Sequence, residues 1–153
     1  MKKLAFKKQI LEKARERQEE IIDDFRNRIE ELQYSVMNIN EGQQDIDQKS
    51  LDSSSNELIN KLADQLNFAV DEMDLLLKMK VDDQIHNKVT IGSVVVTDRG
   101  IFYPSVSIER FNVAGKEIFG LSTKAPLFKL MKGKKAGEDF SYKKVNYHIL
   151  DLY

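Results

Sequence analysis

Apolar residues in the first 80 positions recur every three or four residues, in two series separated by a polar stretch. The first series is Leu11, Ala14, Ile22, Phe25, Ile29, Leu32 and Val36, and the second is Leu58, Leu62, Leu66, Ala69, Met73 and Leu76. Such spacing is typical of a helix with one apolar seam. Two seams joined by a polar stretch predict an antiparallel coiled-coil hairpin over residues 1–80, with its tip near 41–56. Residues 54–57 (SSNE) fit a capping box that opens the second helix.

The pattern changes after residue 80, where apolar and polar residues alternate. The stretch VTIGSVVVT (89–97) predicts a strand, residues 98–100 a turn, and IFYPSVSI (101–108) a second strand. Proline cannot donate to a sheet ladder, so Pro104 indicates an edge strand or a bulge. A short helix is expected from Leu127 to Met131, stopped at Gly133, and the final FSYKKVNYHILDLY alternates as one or two strands. Residues 81–153 are therefore predicted to form a small β-rich domain, which makes the chain α+β.

Composition supports this division and excludes several functions. Six of the seven glycines and both prolines follow residue 91, and nine of the thirteen aromatic residues follow residue 80. The chain has no cysteine, which excludes a disulfide framework and any cysteine nucleophile or ligand. No apolar run has the length of a membrane span, and the charged start lacks the apolar core of a signal peptide, so we expect a cytoplasmic protein. We find no phosphate-binding glycine loop and no nucleophile motif, so no active site of its own is expected.

Charge is unevenly distributed along the chain. The formal net charge is −1, which comprises −4 over residues 1–80 (13 basic, 17 acidic) and +3 over residues 81–153 (11 basic, 8 acidic). The first seventeen residues contain a basic cluster: Lys2, Lys3, Lys7, Lys8, Lys13, Arg15 and Arg17. The cluster is either a solvated helix face or an RNA-contacting patch. His86 and His148 lack clustered partners in the sequence, which disfavours a metal site at either.

The most specific motif is LSTKAPL (121–127), followed by LMKGK (130–134) and Gly137-Glu138. It resembles the globular domain of the bacterial Gre transcript-cleavage factors, which has Ile-Ser, then Ser-Pro-Leu or Ser-Pro-Ile, an apolar pair, Gly-Lys and a later Gly-Asp. Ala125 stands where the family has serine. The resemblance implies an FKBP-like fold for residues 81–153, and it implies that Ser122, Ala125, Pro126 and Leu127 bind RNA polymerase. From the sequence alone, Pro126 could equally do no more than start a helix.

The hairpin resembles the same family more weakly. An ungapped alignment that places Phe68 on the family's tip-proximal phenylalanine puts Asp52 on its first catalytic aspartate. Asn56 then matches an asparagine, and Ser55 stands where the family has the second catalytic acid. Glu57, or Asp47 with Asp45, could supply the missing carboxylate. From local chemistry alone, Asp52 could equally be a helix N-cap or a loop charge.

The resemblance implies a function on RNA polymerase. Gre-type factors insert the hairpin into the secondary channel, where tip acids help to hold a second Mg²⁺ ion near the RNA 3′ end. Magnesium prefers carboxylate oxygens, so Asp52 would be the ligand, and only inside a polymerase complex. The protein would have no cofactor of its own and would at most assist cleavage by the polymerase. It would either assist transcript cleavage or occupy the channel without cleavage.

Two other classes of function remain open from the sequence. One is a coiled-coil interaction protein whose hairpins dimerise through exposed seams and that has no role on polymerase. The other is an enzyme, a prolyl isomerase or chaperone that uses an aromatic pocket of the FKBP-like domain.

Overall fold

The computed structural model describes residues 2–40, 46–81 and 85–153, with side chains for 2–37, 54–81 and 85–153. Its described part contains two long helices, α1 (Lys2–Asn40) and α2 (Ile46–Lys78), and a short one, α3 (Pro126–Met131). The strands are β1 (Val95–Thr97), β2 (Gly100–Ser105), β3 (Arg110–Val113), β4 (Lys116–Ser122), β5 (Asp139–Tyr142) and β6 (Val145–Leu152). The chain is thus α+β, with a long helical region followed by a sheet. None of the described helices combines the length and apolarity needed to cross a membrane.

The strands form one mixed sheet in the order β3-β4-β2-β1-β6-β5. Strands β2 and β4 pair in parallel, with Ile101 opposite Ile118 and Ser105 opposite Ser122, whereas the other neighbours are antiparallel. The turn predicted at residues 98–100 and the two strands in the final segment are confirmed. The strand predicted over 89–97 is shorter than expected, because only residues 95–97 pair.

Pro104 lies in a central strand, so the prediction of an edge strand or bulge is wrong. Strand β1 is three residues long and pairs only with residues 100–102 of β2. Beyond that point the Pro104 carbonyl accepts a hydrogen bond from Gly92 N at 2.8 Å. In a strand the N–H and C=O of one residue point to the same side, so the nitrogen of Pro104 faces away from β4. Its missing N–H therefore removes no bond from the β2–β4 ladder.

Alternating residues of the sheet belong to two separate apolar clusters. Tyr103, Ile118 and Val113 lie in a cluster with Ile10, Ala14 and Leu76. Phe102 and Ile149 lie in the other cluster, with Phe128 and Met131 of α3. The sheet is therefore covered on one face by the ends of the long helices and on the other by α3, because successive strand residues point to opposite faces.

The chain divides into two compact units, and the unit that contains the sheet also includes both of those helix ends. It comprises Met1–Arg17 and Glu72–Tyr153, while Gln18–Asp71 form the second unit. The helix pattern in the sequence ends near residue 80, but the sheet unit also includes residues 72–80 and the first seventeen residues of the chain.

Arg15 joins the two helix ends within the sheet unit. Its Nε and Nη2 donate to the Leu76 carbonyl at 3.1 and 2.9 Å, and Nη2 also donates to the Met79 carbonyl at 2.9 Å. These carbonyls lie at the C-terminus of α2, where helix carbonyls lack intrahelical partners and carry partial negative charge. Next to it, burial raises the pKa of Tyr103 to about 12, against the opposing effect of the Arg15 charge.

In the second unit, Gln18 is a buried polar side chain. It is 1% exposed and lies close to buried Ala69, to whose carbonyl Gln18 Nε2 donates at 2.8 Å. Gln18 Oε1 is buried and has no hydrogen-bond partner among the described residues. A buried acceptor without a partner lowers stability by its full desolvation cost.

We expect Gln18→Leu to raise the free energy of unfolding by about 1–2 kcal/mol, because leucine removes the orphaned acceptor at similar volume. Urea denaturation followed by circular dichroism measures the change. Gln18→Ala is the matched control and should lower stability, since it leaves a cavity. A leucine variant less stable than wild type would contradict this account.

Candidate functional site

The predicted tip acids lie on α2, which begins earlier than the sequence suggested. Because the helix starts at Ile46, residues 54–57 are inside it and the predicted capping box is wrong. Asp52 and Asp47 have helical backbone, so Asp52 is not a helix N-cap; the side chains of both lie outside the described residues, as does Asp45 altogether. The Glu57 side chain is exposed.

Helical geometry bears on which acids could share a metal ion. Positions 52 and 57 are five residues apart on one helix, as are 47 and 52. At 3.6 residues per turn, five residues separate two positions by about 140° around the axis. The two positions of each pair therefore lie on different faces of α2. The described residues contain no group of three or more His, Cys, Asp or Glu that could hold a metal ion.

The second predicted site, residues 122–127, is a tight turn that leads from β4 into α3. The Ala125 N–H donates to the Ser122 carbonyl at 3.0 Å, and the Lys124 N–H donates to Ser122 Oγ at 3.2 Å. Pro126 is exposed at the start of α3, where a missing N–H costs nothing. Ser122, Ala125 and Leu127 are half-buried. Pro126 therefore starts the helix, and its exposure also leaves it accessible to a partner.

Ala125 occupies the N-cap position of α3 without capping it. Its backbone is extended (φ −68°, ψ 142°), which is the N-cap conformation, and no side chain caps the helix. The helix is held instead by burial of Phe128 and Met131. Serine, the residue that the Gre family has here, would supply the missing oxygen.

Glu72 connects α2 to this end of the sheet, and sequence analysis missed it. Its Oε2 accepts a hydrogen bond from the Ser107 N–H at 2.7 Å, in the loop after β2. Burial raises the pKa of Glu72, while the bond from Ser107 and the charge of Lys124 act in the opposite direction. Since β2 and β4 run in parallel, the loops after both leave the same edge of the sheet. No signal in the sequence marks Glu72, because it lies among exposed acids of similar helical spacing.

Several residues of the basic cluster at the N-terminus form contacts within the protein. Lys7 is 2% exposed, with Nζ 3.1 Å from His86 Nδ1, and Arg15 bonds to helix carbonyls. Lys3 forms an ion pair with Asp151 at 3.1 Å. Lys7 is therefore buried and belongs to neither a solvated face nor an RNA-contacting patch, whereas half-buried Arg15 uses its guanidinium to bond helix carbonyls. The other histidine, His148, forms a close pair with Asp139 across β5 and β6.

No protein-family model matches the chain, and no curated protein matches its sequence significantly. The resemblance to Gre factors therefore rests on the motifs in residues 52–68 and 121–138.

We expect Glu72→Gln to raise stability at neutral pH. A raised carboxyl pKa means that ionisation is less favourable in the folded state, so the stability this group contributes is present below its ordinary pKa of 4.5 and is lost as pH rises through the folded value. Glutamine keeps the acceptor for Ser107 N–H without the charge. Thermal unfolding at pH 7 and pH 3.5 should show a gain at pH 7 only.

The control for that experiment is Glu72→Ala, which removes the acceptor and should destabilise the protein at both pH values. A glutamine variant that loses stability at pH 7 would show that the attraction to Lys124 outweighs the desolvation of Glu72.

Ala125→Ser should stabilise α3 by about 0.5–1 kcal/mol, because its hydroxyl can accept a hydrogen bond from a free N–H in the first turn. Urea denaturation measures the gain. Ala125→Val, which adds bulk without an acceptor, is the matched control; equal effects of serine and valine would argue against a capping contribution.

Proposed function

We propose that this chain is a regulator that binds RNA polymerase and acts through the secondary channel, as Gre-type factors do. The observation that carries the proposal is the turn at residues 122–127, in which the motif shared with the Gre family leads into α3 and leaves Pro126 exposed. In this proposal residues 81–153 have an FKBP-like fold, and Ser122, Ala125, Pro126 and Leu127 form the polymerase-binding turn.

The long helices support the second part of the proposal, an antiparallel coiled-coil hairpin that enters the channel. Within residues 18–71, Gln18 contacts Ala69, while Leu32 lines a groove with Leu58 and Leu62. Positions along α2 therefore fall as positions along α1 rise, which is the order of an antiparallel pair. The regulator would work in the cytoplasm, where it reaches the polymerase and approaches the RNA 3′ end indirectly.

The arrangement of acids supports occupation of the channel without cleavage. Asp52 is the proposed Mg²⁺ ligand inside a polymerase complex, with Glu57 or Asp47 as the second acid. One carboxylate holds Mg²⁺ weakly, and both candidate partners start from other faces of α2. The chain has no cofactor of its own in this proposal, and any bond cleavage belongs to the polymerase.

The experiment measures binding to the cognate RNA polymerase and RNA cleavage in a backtracked elongation complex. We expect the wild-type protein to bind, to leave cleavage at the polymerase's own rate, and to slow the cleavage stimulated by an active Gre factor through competition. Asp52→Ala should behave like wild type. Asp64→Ala, another acid of α2, is the matched control.

Two results would change this picture. Cleavage stimulated by wild type but lost in Asp52→Ala would establish a cleaving factor whose second acid is identified by testing Glu57→Ala and Asp47→Ala in turn. Absence of polymerase binding would refute the proposed function.

A coiled-coil interaction protein is the second candidate. Among the described residues of the second unit, 18–71, the exposed large apolar side chains are Tyr34, Met37, Leu58 and Phe68. A dimer through this surface would remain intact on dilution in sedimentation experiments and would be weakened by Tyr34→Lys/Phe68→Lys. A monomer at all concentrations would remove this candidate.

A further inference from the structure

One face of α3 points to solvent and carries both apolar and basic side chains. Phe128 and Met131 are buried against the sheet, whereas Pro126, Lys129 and Leu130 are exposed, Leu130 to 42%. Residues three and four apart share a helix face, so these three exposed positions adjoin. Lys132 follows directly at the end of the helix and is also exposed.

The chain segment that contains α3 carries charged residues of one sign. Residues 118–137 contain five lysines (124, 129, 132, 134 and 135) and no acidic residue. Burial raises the pKa of Glu72, and the charge of Lys124 opposes this with a smaller effect. Lys134 Nζ lies 4.0 Å from Glu138 Oε2. Lys129 and Lys132 form no ion pair within the described part of the chain.

A neighbouring segment adds a further lysine. The Val89 N–H donates to the Lys134 carbonyl, and the Gly133 N–H donates to the Val89 carbonyl, both at 2.9 Å. These bonds hold residues 88–89 beside the end of α3, and Lys88 is exposed there. The α3 surface, defined as Pro126, Lys129, Leu130, Lys132 and Lys88, thus has an apolar centre and a lysine rim.

We propose that the α3 surface docks onto an acidic protein surface that presents an apolar side chain to Pro126 and Leu130. Protein interfaces combine an apolar centre with a polar rim, and complementary charge at the rim speeds association and sets orientation. A nucleic-acid backbone would match the lysines but offers nothing to Leu130, so the apolar centre favours a protein. The inference rests on the proposed function, so the acidic surface that the α3 surface would contact is on RNA polymerase.

The surface is continuous with the proposed polymerase-binding turn. Pro126 belongs to both, and Lys129 lies on the next helical turn. The turn fixes the entry to α3, while α3 and the residue after it add Lys129 and Lys132 to the charge of Lys124 in the turn. Because Phe128 and Met131 anchor α3 to the sheet, the surface is held rigidly for docking.

The test compares the affinity of the full-length protein for the cognate RNA polymerase with that of Lys129→Glu/Lys132→Glu. We expect the double reversal to weaken binding about tenfold, with a shallower salt dependence than wild type. Leu130→Ala should weaken binding about fivefold with an unchanged salt dependence. Lys143→Glu/Lys144→Glu, two exposed lysines on the turn between β5 and β6, is the matched control and should bind like wild type.

The outcomes separate this inference from the function beneath it. Wild-type binding that survives both α3 variants refutes the docking surface and leaves the proposed function standing, whereas absence of wild-type binding refutes both. A reversal that abolishes affinity for a short DNA duplex but not for polymerase would show a nucleic-acid surface instead. Should the reversal lower thermal stability, Lys129→Gln/Lys132→Gln provides the same comparison without repulsion.

Discussion

The sheet has apolar side chains on both faces, and the rest of the sheet unit follows from the need to cover them. Phe102 and Tyr103 are neighbours in β2, yet they belong to different apolar clusters. One helix of six residues covers one face. The other is covered by the beginning of α1 and the end of α2, so these helix ends cannot be separated from the sheet without exposing its core to water. The first seventeen residues are thus part of the sheet unit although they are far from it in sequence.

A helix end that packs on a sheet has backbone carbonyls without intrahelical partners, and a basic side chain can bond to them. The Leu76 and Met79 carbonyls at the end of α2 accept three hydrogen bonds from the guanidinium of Arg15. Lys7 is also buried, with its Nζ 3.1 Å from His86 Nδ1. It lies on the same face of α1 as Ile10 and Ala14, which pack against the sheet. Glu72 fixes the loop after β2 through the Ser107 N–H. Charged residues that read as surface in the sequence therefore hold elements together.

The same arrangement positions the candidate docking region. Parallel pairing of β2 and β4 brings the loops after both strands to one edge, where Glu72 and Lys124 lie close enough for their charges to interact. The turn from Ser122 to Ala125 then directs the chain into α3, whose buried residues set which residues face solvent. The proposed partner is thus met by a surface fixed by backbone hydrogen bonds and a packed helix. The acids of α2 lie on a continuous helix, which constrains how they could share a metal ion.

Local periodicity in the sequence determined the element types: the two long helices, the turn at residues 98–100, the short helix before Gly133 and the final strands. The stretch 121–127 could also be singled out from the sequence, because its resemblance to the Gre family depends on residue type and spacing alone. Tertiary structure decided what spacing does not encode. Pro104 sits in a central strand because β1 ends before reaching it, and the start of α2 precedes its supposed capping residues. Lys7 is buried, Arg15 is half-buried and bonded to helix carbonyls, and Glu72 accepts a hydrogen bond from Ser107. Partners distant in sequence determine burial and hydrogen bonding, whereas local pattern indicates only which residues share a face.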